Sequence, residues 1–340
     1  MASVGQELPR IGVVIPYFQR EPGLLHRALS SISAQEYRPV QVVVVDDGSP
    51  RAAEEEITAT LRNALPGLTV IRQENKGAAA ARNAALDAIT GEVSAIAFLD
   101  SDDYWQIAHL RNATVALSRG ADFFFSNLSI EGTTTDLFRH QGRLDLLDNP
   151  RPVPAAPGIM LWGGGVSALL TIGIPVRTSG VVFRRAVMPQ VRFPVTLRGA
   201  AGGEDDLVWW ELLVRSSVIM YCTEPTVTYG TGGVGFWQHV EFGSLRHLVQ
   251  LADTIRMRRY VLNTYPVSAD ERRRVLRSIA VHRDSALVSA LHLLRRRREH
   301  ALKEVLYLLR DDPVCVIAWC VALPKLLYRK IRPPVTHRQD

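Results

Sequence analysis

Asp100, Asp102 and Asp103 place three carboxylates within four residues, directly after the apolar run at 93–99. Like charges this close repel and raise one another's pKa, so a positive partner is expected beside them. Hard divalent cations take oxygen ligands, and Mg2+ or Mn2+ keeps positions open for substrate phosphates. The competing structural reading is a turn in which Asp102 or Asp103 caps a following helix, although a cap needs one acid rather than three. Three more polar clusters accompany this one: Asp46 with Asp47, Lys76 with Arg82 and Asn83, and Glu204 with Asp205 and Asp206. A carboxylate such as Asp47 can accept an N–H from a nucleobase edge, while Arg82 can donate to a base carbonyl or neutralise phosphate. Lys76 can approach phosphate or stay solvated on its loop. The 204–206 trio can supply a base for an attacking hydroxyl, or can be acids favoured by the macrodipole of a helix's first turn.

The elements that must position these groups follow from hydrophobic spacing. Apolar runs at 11–16, 40–45, 68–72 and 93–99 read as buried strands. Between them, Leu24, Ala28 and Ile32, then Ile57, Leu61 and Leu65, then residues 78–89, carry helical spacing. Ser49 and Pro50 read as the cap and first position of the second helix. This alternation predicts a mostly parallel sheet with right-handed crossovers, with the polar clusters at strand ends where open α/β sheets bind ligands. Residues 121–130 read as a fifth strand, TSGVVFRR as a short strand, GGEDDLVWWELLVRS as a helix and VIMYCTEPTVTYG as a strand pair. Residues 132–177 carry little regular pattern and read as an inserted loop or short helix over the site. No GxGxxG follows the first strand and no Walker loop occurs, so dinucleotide and P-loop chemistry are unsupported.

With 340 residues, 47% of them hydrophobic, the chain can bury one large core and carry an appendage. Three cysteines give neither a paired framework nor metal-ligand spacing, and the amino terminus has no apolar signal core, so a cytoplasmic location is expected. The net charge of +6 is unevenly placed: residues 241–340 hold 20 Lys and Arg against 10 Asp and Glu, the preceding residues 20 against 24. That tail reads as helical from about 240. It ends in ten apolar residues at 314–323 beside Lys325, Arg329, Lys330 and Arg332, too short to span a bilayer. It suits either an anchor on an anionic membrane surface or a helix docked on the domain. The expected division is a catalytic domain over 1–240 and a basic helical extension over 241–340.

Taken in order, IPYFQR, VDDGS, ENKGAAAARN, LDSDDYW and GGEDDLVWW resemble the motifs of glycosyltransferase family 2 over about residues 9–240. The resemblance implies a GT-A fold, Rossmann-like with a mostly parallel central sheet, and a metal-dependent inverting transfer from a nucleotide diphosphate sugar, expected to be a UDP-sugar. It implies donor-binding roles for Pro16, Tyr17, Asp47, Lys76, Arg82 and Asp100. Mn2+ or Mg2+ would be held by Asp102 with Asp100, with His239 a further candidate ligand or a histidine of an exposed helix. Asp205 would be the base, with Glu204 and Asp206 the competing identities. The resemblance is to bacterial polysaccharide-biosynthesis enzymes, and the basic tail suggests a glycan or lipid-linked hydroxyl as acceptor at the inner face of a membrane. Two rivals are a non-catalytic nucleotide-sugar or glycan-binding module, which has no use for a base, and a sugar nucleotidyltransferase, which would want a basic glycine-rich loop where Tyr17-Phe18-Gln19 stands. Trp209, Trp210 and Trp237 could stack on an acceptor sugar or pack in the core. The arginine-rich tail lacks an interleaved aromatic platform, so no nucleic acid is expected.

Overall fold

The computed structural model describes residues 8–134, 136–140, 151–163, 176–195, 204–230, 241–265, 267–295 and 301–331. The chain divides into two compact units, Met1–Gly199 with Glu204–Gly235, and Ala200–Gly203 with Phe236–Asp340.

The first unit begins as its apolar runs dictate. Strands β1 (Ile11–Tyr17), β2 (Gln41–Asp47), β3 (Leu68–Gln73) and β4 (Ala95–Phe98) alternate with helices α1 (Leu24–Ser33), α2 (Ala59–Ala64) and α3 (Ala78–Ala88). They pair in parallel in the order β3-β2-β1-β4. The valine run of β2 is buried on both faces, as a covered parallel strand requires. Helix α2 starts later than Ser49-Pro50 predicts. Asp46 accepts from the backbone N–H of Ser49 at 2.8 Å and of Ala53 at 3.0 Å, which holds this stretch as a turn, and Thr58 caps the helix instead through Leu61 N.

Beyond β4 the sheet is mixed. Strand β5 (Tyr104–Trp105) follows the acids, so no helix begins there for Asp102 or Asp103 to cap; helix α4 (His109–Ser118) starts further on. Strand β6 (Phe123–Ile130) and the short strands β7 (Arg151–Pro152) and β8 (Ile159–Leu161) precede β9 (Val181–Arg184). Strand β9 enters antiparallel between β4 and β6. Running that way, its amino-terminal end meets the carboxyl ends of the parallel strands, where the acids lie. The expected strand pair at 218–230 is one strand, β10 (Ile219–Tyr229), parallel to β6, with register shifts either side of Pro225. Proline has no N–H for the ladder, and a bulge is where a sheet tolerates it.

The second unit is helical among its described residues: α5 (Leu245–Thr264), α6 (Ala269–Arg295), α7 (Ala301–Asp311) and α8 (Val314–Ile331). Its buried ionic knot is Asp312, which accepts from Arg283 Nε at 2.7 Å and Nη2 at 2.8 Å and from Arg259 Nη1 at 2.8 Å. Helix α8 is packed within this unit at some positions and exposed at others. Cys315 is buried and Trp319 Nε1 donates to Arg283 O at 2.9 Å, while Val316, Ile317 and Val321 remain exposed at 48%, 68% and 54%. No helix among the described residues is long and apolar enough to cross a membrane.

Candidate active site

The parallel strands deliver the polar clusters to one edge, and each cluster is fixed differently. At the end of β2, Asp47 is buried and already committed: Oδ1 accepts from Gln73 Nε2 at 2.7 Å and Lys76 N at 2.9 Å, Oδ2 from Gly77 N at 2.8 Å. It thereby shapes the loop leading into α3. Lys76 contributes its backbone here and keeps an exposed side chain. Pro16 and Tyr17 end β1 and are buried; burial, with the charge of Glu56 adding, pushes the Tyr17 phenol up to about 12.

After β4 the three aspartates part company. Asp103 is structural: Gly230 N donates to its Oδ1 at 3.0 Å and Ser179 Oγ donates to Oδ2. Burial, then the charges of Asp102 and Asp100, hold its pKa well above the ordinary carboxylate range. Asp100 accepts from Arg82 Nη2 at 2.8 Å. The Asp102 carboxylate forms no ion pair with a Lys or Arg among the described residues, although the charges of Arg27 and Arg82 act on it, and its carbonyl accepts from Arg27 Nη2 at 3.0 Å. Burial first, and the neighbouring Asp100 charge second, raise the Asp102 pKa to about 6.

The helix Glu204–Arg215 carries the last cluster to this edge. Trp209 and Trp210 are 0% and 2% exposed, so both are packing residues rather than sugar platforms. The Trp209 ring meets Phe98 edge-on at 5.1 Å and Phe193 at 5.7 Å, so the aromatic core under β4 pins the helix with its first turn beside the acid loop. Burial of one such ring contributes roughly 1.5–3 kcal/mol to that placement. Arg82 closes the arrangement from α3: Nη1 lies 3.5 Å from Glu204, and the guanidinium sits 5.3 Å over the Phe193 ring. Burial alone would lower the Arg82 pKa, but Asp100, Asp205 and Glu204 together outweigh it and raise it. Burial and then Asp205 raise the Glu204 pKa, against the pull of Arg82. Asp205 itself accepts from Thr178 Oγ1 at 2.7 Å on Oδ2 and from Asp206 N at 2.9 Å on Oδ1.

Among the described residues no group of three or more His, Cys, Asp or Glu is placed to hold a metal ion. The donor set fits a hard cation only as an open site: the Asp102 carboxylate makes no ion pair among the described residues, and burial beside Asp100 disfavours its charge more than Arg27 and Arg82 favour it. Mg2+ and Mn2+ are commonly held by one or two carboxylates plus substrate phosphates. His239 and Trp237 lie outside the described residues, as do 141–150 and 164–175 of the irregular segment. Sequence reasoning missed Thr178, Ser179, Gly230 and Arg27. Their contacts join residues far apart in the chain and leave no periodic signal.

A mixed sheet with these acids at its edge and helices on its faces defines an α/β protein of the GT-A kind. The solved structures agree: S. aureus TarS superposes with a TM-score of 0.58 at 16% identity, covering 90% of this chain and 54% of its own. The mannosyltransferase PcManGT from Pyrobaculum calidifontis, in complex with GDP-Man and Mn2+, gives 0.55 at 15% identity, covering 93% and 88%. In sequence, residues 12–168 match the model of glycosyl transferase family 2. The succinoglycan biosynthesis protein ExoW of Rhizobium meliloti is 32% identical over 238 residues, which is 66% of this chain and 70% of ExoW. The Escherichia coli UDP-Glc:alpha-D-GlcNAc-diphosphoundecaprenol beta-1,3-glucosyltransferase WfaP is 33% identical over 111 residues, 32% of this chain and 41% of WfaP. The chain belongs to glycosyltransferase family 2 and is a glycosyltransferase similar to those of bacterial polysaccharide biosynthesis.

Proposed function

We propose that this glycosyltransferase moves a sugar from a UDP-sugar, with Mn2+ or Mg2+, to a hydroxyl of a lipid-linked or growing glycan, with inversion and with Asp205 as base. The observation that carries the reading is Arg82, a buried cation that bonds Asp100 on one side and faces Glu204 on the other. It ties the donor-side acids to the helix that carries the base. In a single displacement the acceptor oxygen forms a bond to the anomeric carbon and its proton passes to Asp205. The bond from that carbon to the diphosphate breaks, and its electron pair leaves with the nucleotide. Glu204, 3.5 Å from Arg82 Nη1, is the competing identity for the base. Asp102 and Asp100 would hold the cation, which supplies Lewis-acid neutralisation of the departing diphosphate when bound. Pro16, Tyr17, Asp47, Lys76 and Arg82 are assigned to the donor pocket, with Asp47 acting through the loop it shapes.

The donor and acceptor classes draw support from relatives: WfaP is named for UDP-Glc and an undecaprenol-linked acceptor, and a Campylobacter jejuni relative for a PP-undecaprenol acceptor. The test is calorimetry of a panel, UDP-glucose, UDP-N-acetylglucosamine and GDP-mannose, with and without Mn2+, on wild type and Asp102→Ala. Binding of one UDP-sugar only with Mn2+, lost in Asp102→Ala, supports the reading; metal-independent binding, or none at all, sinks it. The basic extension and the exposed Val316, Ile317 and Val321 support peripheral attachment at the inner face of the membrane. Co-sedimentation with phosphatidylglycerol vesicles, weakened by Ile317→Glu, is expected; equal recovery with neutral vesicles contradicts the attachment.

A further inference from the structure

The turn Thr178–Gly180, which precedes β9, touches both halves of the site. Thr178 Oγ1 donates to Asp205 Oδ2 at 2.7 Å. The next residue faces the acid loop: Ser179 Oγ donates to Asp103 and accepts from Asp100 N at 3.1 Å, and Ser179 O accepts from Trp105 Nε1 at 2.7 Å. Gly180 presses on β6, where a Cβ would stand 3.1 Å from both Ser126 O and Oγ, so the turn is held from behind as well. Thr178 and Ser179 are 4% and 1% exposed. Two consecutive hydroxyls on one buried turn therefore address the acid loop and the base separately.

We propose that Thr178 is a positioning residue for transfer, fixing the carboxylate plane of Asp205 relative to the acid loop that Ser179 holds. The proposal rests on the reading of Asp205 as base. An aspartate's terminal torsion is broad and nearly two-fold, so its carboxylate needs external bonds to keep one orientation. Asp205 receives one bond on each oxygen, Oδ1 from Asp206 N on its own helix and Oδ2 from Thr178. The first moves with the helix and carries no information about the rest of the site. The second comes from the turn that also bonds the acid loop, so it sets the base against the donor-side acids. Each carboxylate oxygen accepts more than one hydrogen bond, which leaves room for an acceptor hydroxyl. Threonine suits this task because its β-branch restricts χ1, so the hydroxyl direction is fixed by the backbone of the turn.

The experiment compares Thr178→Val, Thr178→Ser and Asp205→Asn with wild type. UDP release is followed from the UDP-sugar selected by calorimetry, with GlcNAc-diphosphoundecaprenol or, failing turnover with it, water as acceptor, and UDP affinity is measured with Mn2+. Thr178→Val keeps the shape and removes the hydroxyl. Its kcat falls about tenfold to a hundredfold, the scale of losing one hydrogen bond to a charged group or misplacing a catalytic group. Donor KM and UDP affinity stay within twofold. Thr178→Ser restores most of the rate. If Thr178→Val turns over within twofold of wild type, or if Thr178→Ser loses as much as Thr178→Val, the proposal is overturned. Should Thr178→Val not fold, Thr178→Ser with Thr178→Ala decides the matter by the same comparison. Asp205→Asn separates the two claims: if it turns over normally the base reading fails, whereas an inactive Asp205→Asn beside a normal Thr178→Val overturns only the positioning role.

Discussion

Replacing Arg82 by methionine keeps most of the volume of this side chain and deletes its charge. In the native protein Arg82 is 5% exposed, bonded to Asp100 and 3.5 Å from Glu204. Without it two carboxylates in a poorly hydrated site lose their common cation, and breaking a buried ion pair on one side costs about 3–5 kcal/mol. For a unit of this size the melting temperature then falls by roughly 6–20 °C. The pH dependence has a definite sign. Glu204 already titrates above its ordinary value through burial and the Asp205 charge, and Arg82 is what opposes this. A carboxyl whose native pKa exceeds its unfolded value costs stability once ionised, and costs nothing when both states are protonated. Losing Arg82 raises the native pKa further, so the penalty is full at pH 8 and shrinks as the pH falls toward 5. Thermal melts of wild type and Arg82→Met at pH 8, 6.5 and 5 check this. A difference below 2 °C at pH 8, or one equally large at pH 5, refutes the electrostatic account of the hub.

Three other changes probe separate parts of the structure. Asp102→Asn in metal-free buffer raises the melting temperature at pH 8 by a few degrees, since the native pKa of about 6 means that ionised Asp102 costs stability above that pH; the gain vanishes near pH 4, and an unchanged or lowered melt at pH 8 contradicts it. Gly230→Ala places a Cβ 1.9 Å from Asp102 O and 2.7 Å from Arg27 Nη2. The acid loop must move, so UDP affinity with Mn2+ weakens at least about tenfold on the scale of one strong polar contact, and wild-type affinity measured by calorimetry would show that the loop tolerates displacement. In the helical unit, Asp312→Asn strips two arginines of a buried carboxylate and costs about 3–5 kcal/mol. Burial pushes the Asp312 pKa up, but the Arg283 hydrogen bonds and charge prevail and lower it. Its stabilisation is therefore present above the ordinary carboxylate pKa and lost as pH falls through the lowered native value, which circular dichroism at 222 nm follows in both proteins.

The residues that announce themselves locally were readable from the chain. Strands β1 to β4 are apolar runs ended by polar clusters, and burial on both faces demands that pattern. The positions of Asp100, Arg82, Glu204 and Asp205 followed from the same punctuation. What escaped was settled by long-range pairing. Nothing in TSGVVFRR says that β9 inserts antiparallel between β4 and β6, yet that direction alone brings Thr178 and Ser179 to the acids. The single strand β10 looked like two because Pro225 and its neighbours interrupt the alternation, and the bulge that absorbs them is set by the partner strand. Of three adjacent aspartates, only tertiary contacts assign Asp103 to Gly230 and Ser179 and Asp100 to Arg82, with no ion pair to the Asp102 carboxylate among the described residues. Ser49 failed as a helix start because Asp46 uses both its oxygens on the turn that follows.

The most direct test of the account is single-turnover UDP release by Asp205→Asn, measured beside its UDP affinity with Mn2+. General-base catalysis contributes about 100- to 10,000-fold, so the account predicts a rate loss in that range with affinity within twofold of wild type. A variant that binds and turns over like wild type would place the base elsewhere and contradict the account.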